Sequence, residues 1–165
     1  GQGFLLVSPL QMAVVTAAVA NGGEVVRPTL AKKAIAKNGA VLLEPEPARE
    51  KLPAKPEYLA SVRRGMRGAV NHDTAVATNL PQVAVAGKTG TVENSPSIHN
   101  KHGRNHVWFV SFAPYEKPEV TVVVFLEKSH GYGGGLAAPI ARKCYEYLYP
   151  EGWDQEEKEE VKSPA

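Results

Sequence analysis

The spacing of apolar residues predicts a helix near the start of the chain. Ser8 can cap its N-terminus and Pro9 suits the first helical turn, while Asn21 and the two glycines after it end the helix. The body, LQMAVVTAAVA, is rich in alanine and valine, which favours close packing against neighbouring elements. One face of the helix collects the residues that we expect in the core: Leu10, Ala13, Val14, Ala17 and Ala18.

A hairpin and a second helix follow. Short apolar runs flank Asn38-Gly39, the strongest two-residue signal for a β-hairpin. Prolines at 45, 47, 53 and 56 then predict an extended connection. Helical periodicity returns over residues 57–70, with an apolar stripe of Leu59, Val62, Met66 and Val70. The basic residues fall off this stripe, which predicts a solvated basic face made of Arg63, Arg64 and Arg67.

The second half of the chain is dominated by strand patterns. Alternating or β-branched runs cover residues 83–92, 106–113 and 120–128, and the short connection between the last two predicts an antiparallel pair. After the glycines at 133–135 comes an amphipathic helix that can cover one face of the sheet, with the stripe Leu136, Ile140, Cys144 and Leu148. Helices followed by an antiparallel sheet predict an α+β fold.

Composition narrows the class of protein. The chain has 165 residues, 43% of them hydrophobic, which suits one globular domain. We assign residues 1–150 to this domain and expect residues 151–165 to form an acidic, disordered tail. A net charge of +2 argues against a nucleic-acid surface. Cys144 is the single cysteine, so neither a disulfide framework nor a zinc site is indicated.

The stretch VAVAGKTGTV, residues 83–92, contains Gly-Lys-Thr, the end of a phosphate-binding loop. Such a loop needs a glycine five residues before Gly87 and a helix after the threonine. Here Gln82 occupies the first position, and the residues that follow Thr89 favour a strand. The sequence therefore predicts no nucleotide binding at this motif.

A Lys-Thr-Gly strand can serve a different chemistry. Glycine inside a strand often marks a place where another backbone comes close, and a peptide can bind by adding to the edge of a sheet. Lys88 and Thr89 offer a cation and a hydroxyl to a carboxylate, and Gly90 leaves room for the ligand. The alternative is that the tripeptide arises by chance, as it does in a small share of chains of this length.

Other polar residues are weaker candidates. His99, His102 and His106 have spacings that suit a metal, but no cysteine or acidic residue lies among them, so we favour a polar loop and predict no metal or cofactor. We assign packing roles to Trp108 and Phe109. The remaining candidates are Glu127 and His130, expected to be structural; Gly1 to Gly3, expected to form a turn; and Asp73, Thr74 and Ala75, candidates to line a cleft.

Four blocks in order carry a family resemblance. They are GQGFLLVSPLQMAVVTAAVANGG, AGKTGT, HVWFVSFAPYEKPEVTVVVFLE, and a glycine-rich loop followed by AAPIARKCYEYL. Together they resemble the C-terminal part of the transpeptidase domain of a class B penicillin-binding protein, most closely the elongation type called penicillin-binding protein 2. The resemblance implies a partial β-lactamase/transpeptidase-like fold. It extends from Gly1 to about Tyr149.

The resemblance also implies a reaction. In this family a serine attacks the D-Ala-D-Ala end of a peptidoglycan stem peptide and passes the acyl group to an amine, and β-lactams mimic the dipeptide. Three motifs do this work: Ser-x-x-Lys, Ser-x-Asn and Lys-Thr-Gly. Lys88, Thr89 and Gly90 match the third. By resemblance, Lys88 supplies positive potential near the substrate carboxylate, Thr89 donates its hydroxyl, and the Thr91 amide forms half of an oxyanion hole.

Two of the three motifs are absent from this sequence. None of its seven serines is followed by lysine three residues later or by asparagine two residues later. We therefore expect a fragment that cannot be acylated alone and that needs the upstream half of the same domain. The alternatives are a non-catalytic β-lactam or muropeptide sensor, a cell-wall scaffold module and, more weakly, a serine β-lactamase.

The resemblance further implies partners and a location. The full protein would be anchored in a bacterial inner membrane, with this domain on the periplasmic or extracytoplasmic face. Its partners would be a SEDS-type glycan polymerase and rod-shape scaffold proteins. No apolar run in the sequence reaches the roughly 18 to 20 residues that cross a bilayer, so the expected anchor is not in this chain.

Overall fold

A computed structural model describes residues 4–46, 48–92 and 105–151. The described residues form three α-helices, one 3-10 helix and three antiparallel sheets, so the predicted α+β class is confirmed. In chain order the elements are α1 (Pro9–Ala20), β1 (Glu24–Val26), β2 (Ala34–Ile35), β3 (Val41–Leu43), β4 (Arg49–Lys51), α2 (Pro56–His72), the 3-10 helix (Val76–Thr78), β5 (Ala86–Val92), β6 (Asn105–Ala113), β7 (Val120–Ser129) and α3 (Gly133–Leu148).

The main sheet has three antiparallel strands in the order β5-β6-β7. All three strands were predicted: β6 begins one residue earlier and β7 ends one residue later than expected, and β5 begins three residues later. Residues 83–85 precede the strand, and two of their carbonyls bond outside it: Ala84 accepts from the backbone of Tyr115, and Val85 accepts from the side chain of Arg67. β5 therefore begins at Ala86 and carries the whole Lys-Thr-Gly motif.

Helix α1 has the predicted bounds. Ser8 accepts a hydrogen bond from the backbone of Gln11, whose side chain accepts one from the backbone of Ser8, a reciprocal cap that satisfies two donors at the helix start. Its predicted core face is correct only in part. Of the five predicted core residues only Ala18 is buried, whereas Leu10 is 60% exposed and the other three are half-buried. The buried residues of the helix are Thr16, Ala18 and Ala20.

Helix α2 corrects the predicted basic face. Arg63 is half-buried, donates to the carbonyl of Tyr115, and lies over the rings of Phe112 and Tyr115, with its guanidinium carbon 5.5 and 5.4 Å from the ring centres. Arg67 donates to the carbonyl of Val85 at 2.7 Å. Planar guanidinium groups on long stems can stack and cap carbonyls without leaving water entirely. Arg64 alone of the three is exposed, as expected.

Helix α3 covers one face of the main sheet, as predicted, but with a different stripe. Its buried residues in contact with the core are Ala137, Ala138, Ala141 and Tyr145. The expected stripe is offset by one residue: Ile140 is 41% exposed, Leu148 is 45% exposed and Cys144 is exposed, and only Leu136 packs against the core. Small alanines let the helix approach the sheet closely, which large side chains at the interface would prevent.

The predicted hairpin is confirmed, and a second small sheet accompanies it. β2 and β3 pair across a turn in which Gly39 has a φ of +84° and the Asn38 side chain accepts from the backbone of Ala40. Such a φ favours glycine. β1 pairs with β4, which lies inside the segment that its prolines predicted to be a plain connection.

Tyr149, just after α3, is expected to make the fold less stable as the pH rises above about 10. Its side chain is buried, and burial followed by the negative charge of Glu119 raises its pKa to about 12. The folded state therefore holds the phenol proton more tightly than the unfolded state, where the pKa is about 10. The stabilisation is complete below pH 10 and is lost as the pH rises from about 10 to about 12.

We expect the free energy of unfolding of the 165-residue chain to fall over this pH window, and to fall less steeply in Tyr149→Phe, because phenylalanine cannot ionise. Burial also raises the pKa of Tyr145, so some slope will remain. Urea unfolding at pH 9, 10 and 11 measures the effect. Tyr147→Phe is the matched control, since Tyr147 is 84% exposed. Equal slopes for the two variants would contradict this assignment.

Candidate active site

Strand β5 carries the candidate site along one margin of the main sheet. Among the described strands it pairs with β6 alone, with Lys88 opposite Val110, Thr89 opposite Phe109 and Gly90 opposite Trp108. Successive side chains of a strand point to opposite faces. Lys88 therefore shares a face with Gly90, and Thr89 shares the other face with Thr91.

Lys88 projects into open space. Its side chain is exposed, its ammonium nitrogen donates to the carbonyl of Thr89 at 2.7 Å, and it joins no salt bridge with another described residue. A cation without a carboxylate partner at a cavity wall can attract an anionic ligand. Among the described residues, no carboxylate therefore neutralises the charge of Lys88 by forming a salt bridge with it.

Two cavities meet at Lys88. The larger, of about 540 Å³, lies between α1 and α2 and is lined mainly by apolar side chains. Its polar members are Thr16, Asp73, Thr74 and Lys88. The smaller, of about 230 Å³, runs beside Thr89 and Gly90 and is also lined by Trp108 and Val110. A largely apolar cavity with a few convergent polar groups is the usual form of a ligand site.

The other face of β5 rests on the start of α3 and on the loop before the 3-10 helix. The Thr89 hydroxyl hydrogen-bonds to the Thr74 hydroxyl at 3.1 Å. The Thr91 hydroxyl accepts from the backbone nitrogen of Gly133 at 3.4 Å. Both threonines of the motif are therefore held by groups that are distant in sequence.

Glycines allow this close approach. A Cβ on Gly87 would lie 2.4 Å from the ring of Phe109, and a Cβ on Gly133 would lie 2.5 Å from the carbonyl oxygen of Trp108 and 2.9 Å from that of Gly90. Contacts shorter than 3.0 Å require the neighbours to move. The backbone that comes close to Gly90 in this structure is that of α3.

The structure separates the remaining candidates. Asp73 and Thr74 line the larger cavity with Lys88, whereas Ala75 is buried and its backbone donates to the carbonyl of Ala69. Phe109 is fully buried, and Trp108 stacks on Phe125 with ring centres 4.3 Å apart, so both pack as expected. Trp108 also lines the smaller cavity.

Of the three candidate histidines, the structure describes only His106. His106 accepts a hydrogen bond at Nδ1 from the backbone of Lys128, while His99 and His102 lie outside the described residues. The described residues contain no group of three or more His, Cys, Asp or Glu side chains that could hold a metal. Glu127 pairs with Lys128 and His130 is exposed. The three residues Gly1 to Gly3 also fall outside the described ranges.

The sequence did not predict which residues form the walls of the larger cavity, nor that the start of α3 contacts β5. The wall residues Met12, Val15 and Val19 belong to α1, and Gly65 and Ala69 belong to α2. Their apolar character was visible, but which apolar residues would face a cavity depends on how the two helices pack.

Among the helices that the structure describes, none is long and apolar enough to span a bilayer.

The structure is an α+β domain with a Lys-Thr-Gly strand beside an open cavity. Comparison with known proteins identifies the family to which such a domain belongs. Residues 1–146 match the family described as penicillin binding protein transpeptidase domain. The peptidoglycan D,D-transpeptidase MrdA of Haemophilus influenzae is 34% identical over 98% of this chain and 26% of its own length. The peptidoglycan D,D-transpeptidase PbpA of Mycolicibacterium smegmatis is 31% identical over 92% of this chain and 31% of its own length.

Solved structures agree with the sequence comparison. Penicillin-binding protein A from Mycobacterium tuberculosis superimposes with a TM-score of 0.77 at 31% identity, covering 88% of this chain and 35% of that one. The penicillin G acyl-enzyme complex of the same protein gives a TM-score of 0.75 at 32% identity, over 90% of this chain and 33% of that one. The chain therefore belongs to the penicillin-binding protein transpeptidase family. It spans about a quarter to a third of the length of the relatives it matches.

Proposed function

We propose that this chain is the C-terminal part of a peptidoglycan D,D-transpeptidase of the penicillin-binding protein 2 type. The whole protein would cross-link stem peptides through a serine acyl-enzyme and be acylated by β-lactams. The observation that carries the proposal is the position of residues 88–91, in motif order, on a strand beside a cavity where Lys88 has an exposed ammonium group. Relatives that are 34% and 31% identical to this chain bear the name peptidoglycan D,D-transpeptidase.

The roles of the motif residues follow from charge and hydrogen bonding. Lys88 would hold the C-terminal carboxylate of the stem peptide, or that of a β-lactam, by charge attraction. Thr89 would donate its hydroxyl to the same carboxylate, and Gly90 would let the ligand backbone lie close to β5. The backbone amide of Thr91 would donate to the oxyanion of the tetrahedral intermediate, which is worth roughly 3 kcal/mol for a single donor.

The nucleophile would come from the upstream half of the same domain. No serine of this sequence has the required lysine three residues later. The larger cavity supports a packing partner, because Val15 and Val62 on its walls are 54% and 49% exposed. An apolar element seated between α1 and α2 would bury these side chains and could bring a serine toward Lys88. We propose that the 165-residue chain alone is inactive.

The location and further partners belong to the same proposal. A domain that cross-links peptidoglycan works on the periplasmic or extracytoplasmic side of the inner membrane, where its substrate lies. The anchor would lie outside the described helices. Cross-linking must also keep pace with glycan synthesis, which supports a partnership with a SEDS-type polymerase and with rod-shape scaffold proteins.

Covalent labelling tests the proposal. The full-length protein and the 165-residue chain are each incubated with a fluorescent penicillin, and intact mass is measured with and without excess unlabelled penicillin. We expect one blockable adduct on the full-length protein and none on the chain. An adduct on the chain would contradict the fragment hypothesis. Reversible binding without an adduct on the full-length protein would instead favour the β-lactam sensor or scaffold alternative.

A further inference from the structure

We propose that Thr74 is a positioning residue that orients the carboxylate-binding hydroxyl of Thr89, an inference that rests on the proposed function. Thr74 precedes the 3-10 helix and lies 15 residues before Thr89 in the chain, yet their hydroxyl oxygens are 3.1 Å apart. Thr74 also lines the larger cavity beside Lys88. In the described structure, the hydroxyl of Thr89 is hydrogen-bonded to the hydroxyl of Thr74.

The loop that carries Thr74 is fixed at several points. The backbone of Ala75 donates to the carbonyl of Ala69 in α2 at 3.0 Å. Thr78 donates its hydroxyl to the carbonyl of Ala138 at 3.3 Å, so the loop is also tied to α3. Arg142 of α3 donates to the carbonyls of Ala77 and Asn79 at 3.4 and 3.2 Å. These bonds hold the loop between two helices, which gives the Thr74 hydroxyl a defined place.

The start of α3 sets the distance between Thr74 and β5. A Cβ on Gly134 would lie 2.0 Å from the carbonyl oxygen of Thr74 and 3.7 Å from the methyl group of Thr89. Gly134 therefore sits directly against both threonines. Any larger side chain there would push the loop away from the strand.

Hydroxyl chemistry explains what Thr74 would do. A threonine hydroxyl has one proton to donate and two lone pairs, and its proton rotates to suit its partners. In the structure the Thr89 hydroxyl donates to the Thr74 hydroxyl. A carboxylate only accepts hydrogen bonds, so it would accept one from the Thr89 hydroxyl, and Thr74 could then rotate its own O–H to donate to the Thr89 oxygen. The second hydrogen bond would keep Thr89 in place and strengthen its donation through cooperativity.

This role makes a prediction that a merely structural role does not. The benefit of Thr74 should depend on a ligand carboxylate and on the Thr89 hydroxyl. Thr74→Val keeps the shape and removes the hydroxyl, whereas Thr74→Ser keeps the hydroxyl and removes a methyl group. Thr74 is exposed, so neither change should alter the melting temperature of the full-length protein. Ser61→Ala, an exposed hydroxyl on α2, serves as the control.

The experiment measures the second-order rate constant of acylation of the full-length protein by benzylpenicillin and by its methyl ester, which lacks the free carboxylate. We expect Thr74→Val to lower the rate with benzylpenicillin by about two- to tenfold, the range of one neutral hydrogen bond. With the methyl ester the loss should be less than about twofold. Thr74→Ser and Ser61→Ala should both stay within about twofold of the parent protein.

A double-mutant cycle completes the test. In a Thr89→Val background, adding Thr74→Val should change the rate with benzylpenicillin by less than about twofold, because Thr74 acts through Thr89. Independent losses from the two substitutions would contradict the positioning role, as would equal losses with the acid and the ester. If the parent protein is acylated and Thr74→Val matches it, this inference alone fails. If the parent protein is not acylated by benzylpenicillin, the proposed function fails and this inference with it.

Discussion

We expect Lys88→Ala to lower the rate of acylation of the full-length protein by penicillin about 10- to 100-fold. A hydrogen bond between charged groups contributes about 1.5 to 3 kcal/mol, and each 1.4 kcal/mol corresponds to a factor of ten. The loss would fall on ligand recognition and the transition state rather than on folding. Lys88 is exposed, and the hydrogen bond described for its ammonium group is to the carbonyl of the adjacent Thr89.

Two further variants separate charge from geometry. Lys88→Arg keeps the positive charge but replaces a compact ammonium by a planar fork, so we expect a smaller loss than for alanine. Lys143→Ala removes another exposed lysine, on α3 and outside the lining of both cavities, and should leave the rate unchanged. Acylation rates are measured by labelling with fluorescent penicillin and quenching samples at successive times. Melting temperatures show whether each variant is folded. A Lys88→Ala variant with the parent rate would exclude a role for this charge.

Local signals in the sequence were sufficient for the order and type of the main elements. The cap at Ser8, the turn at Gly39 and the β-branched run of β7 are each set by residues within a few positions. Burial was harder to predict. In α3 two stripes repeat every four residues, one of large apolar residues and one containing Ala137, Ala141 and Tyr145, and only the shape of the sheet decides which one faces it.

The candidate site likewise combines residues that are adjacent in the sequence with partners that only the packing brings close. The Lys-Thr-Gly residues are contiguous, so the sequence alone was enough to propose a chemistry for them. The partners of its threonines lie 15 and 42 residues away, at Thr74 and Gly133, and no local pattern joins them. The same holds for Arg63, because the fold brings its aromatic partners Phe112 and Tyr115 close to it. Contacts between distant segments follow from packing, which periodicity does not encode.

The three consecutive glycines that begin α3 provide the sharpest test of that packing. We expect Gly133→Ala and Gly134→Ala to destabilise the domain by about 1 to 3 kcal/mol or more, since overpacking a close contact forces the backbone to shift. Their added Cβ atoms would lie 2.5 Å from the carbonyl oxygen of Trp108 and 2.0 Å from that of Thr74, respectively. Gly135→Ala is the matched control, because nothing lies within 4 Å of its added Cβ.

For Gly135→Ala we expect a neutral or stabilising effect of up to about 1 kcal/mol, because alanine restricts the unfolded chain and favours helix. Urea unfolding of the full-length protein compares the three variants, and equal stabilities would contradict the packing described for α3. Acylation rates add a second readout. Gly134→Ala would move the loop that carries Thr74, so its loss should be larger with benzylpenicillin than with the methyl ester. Gly133→Ala, which displaces β5 itself, should slow both reactions alike.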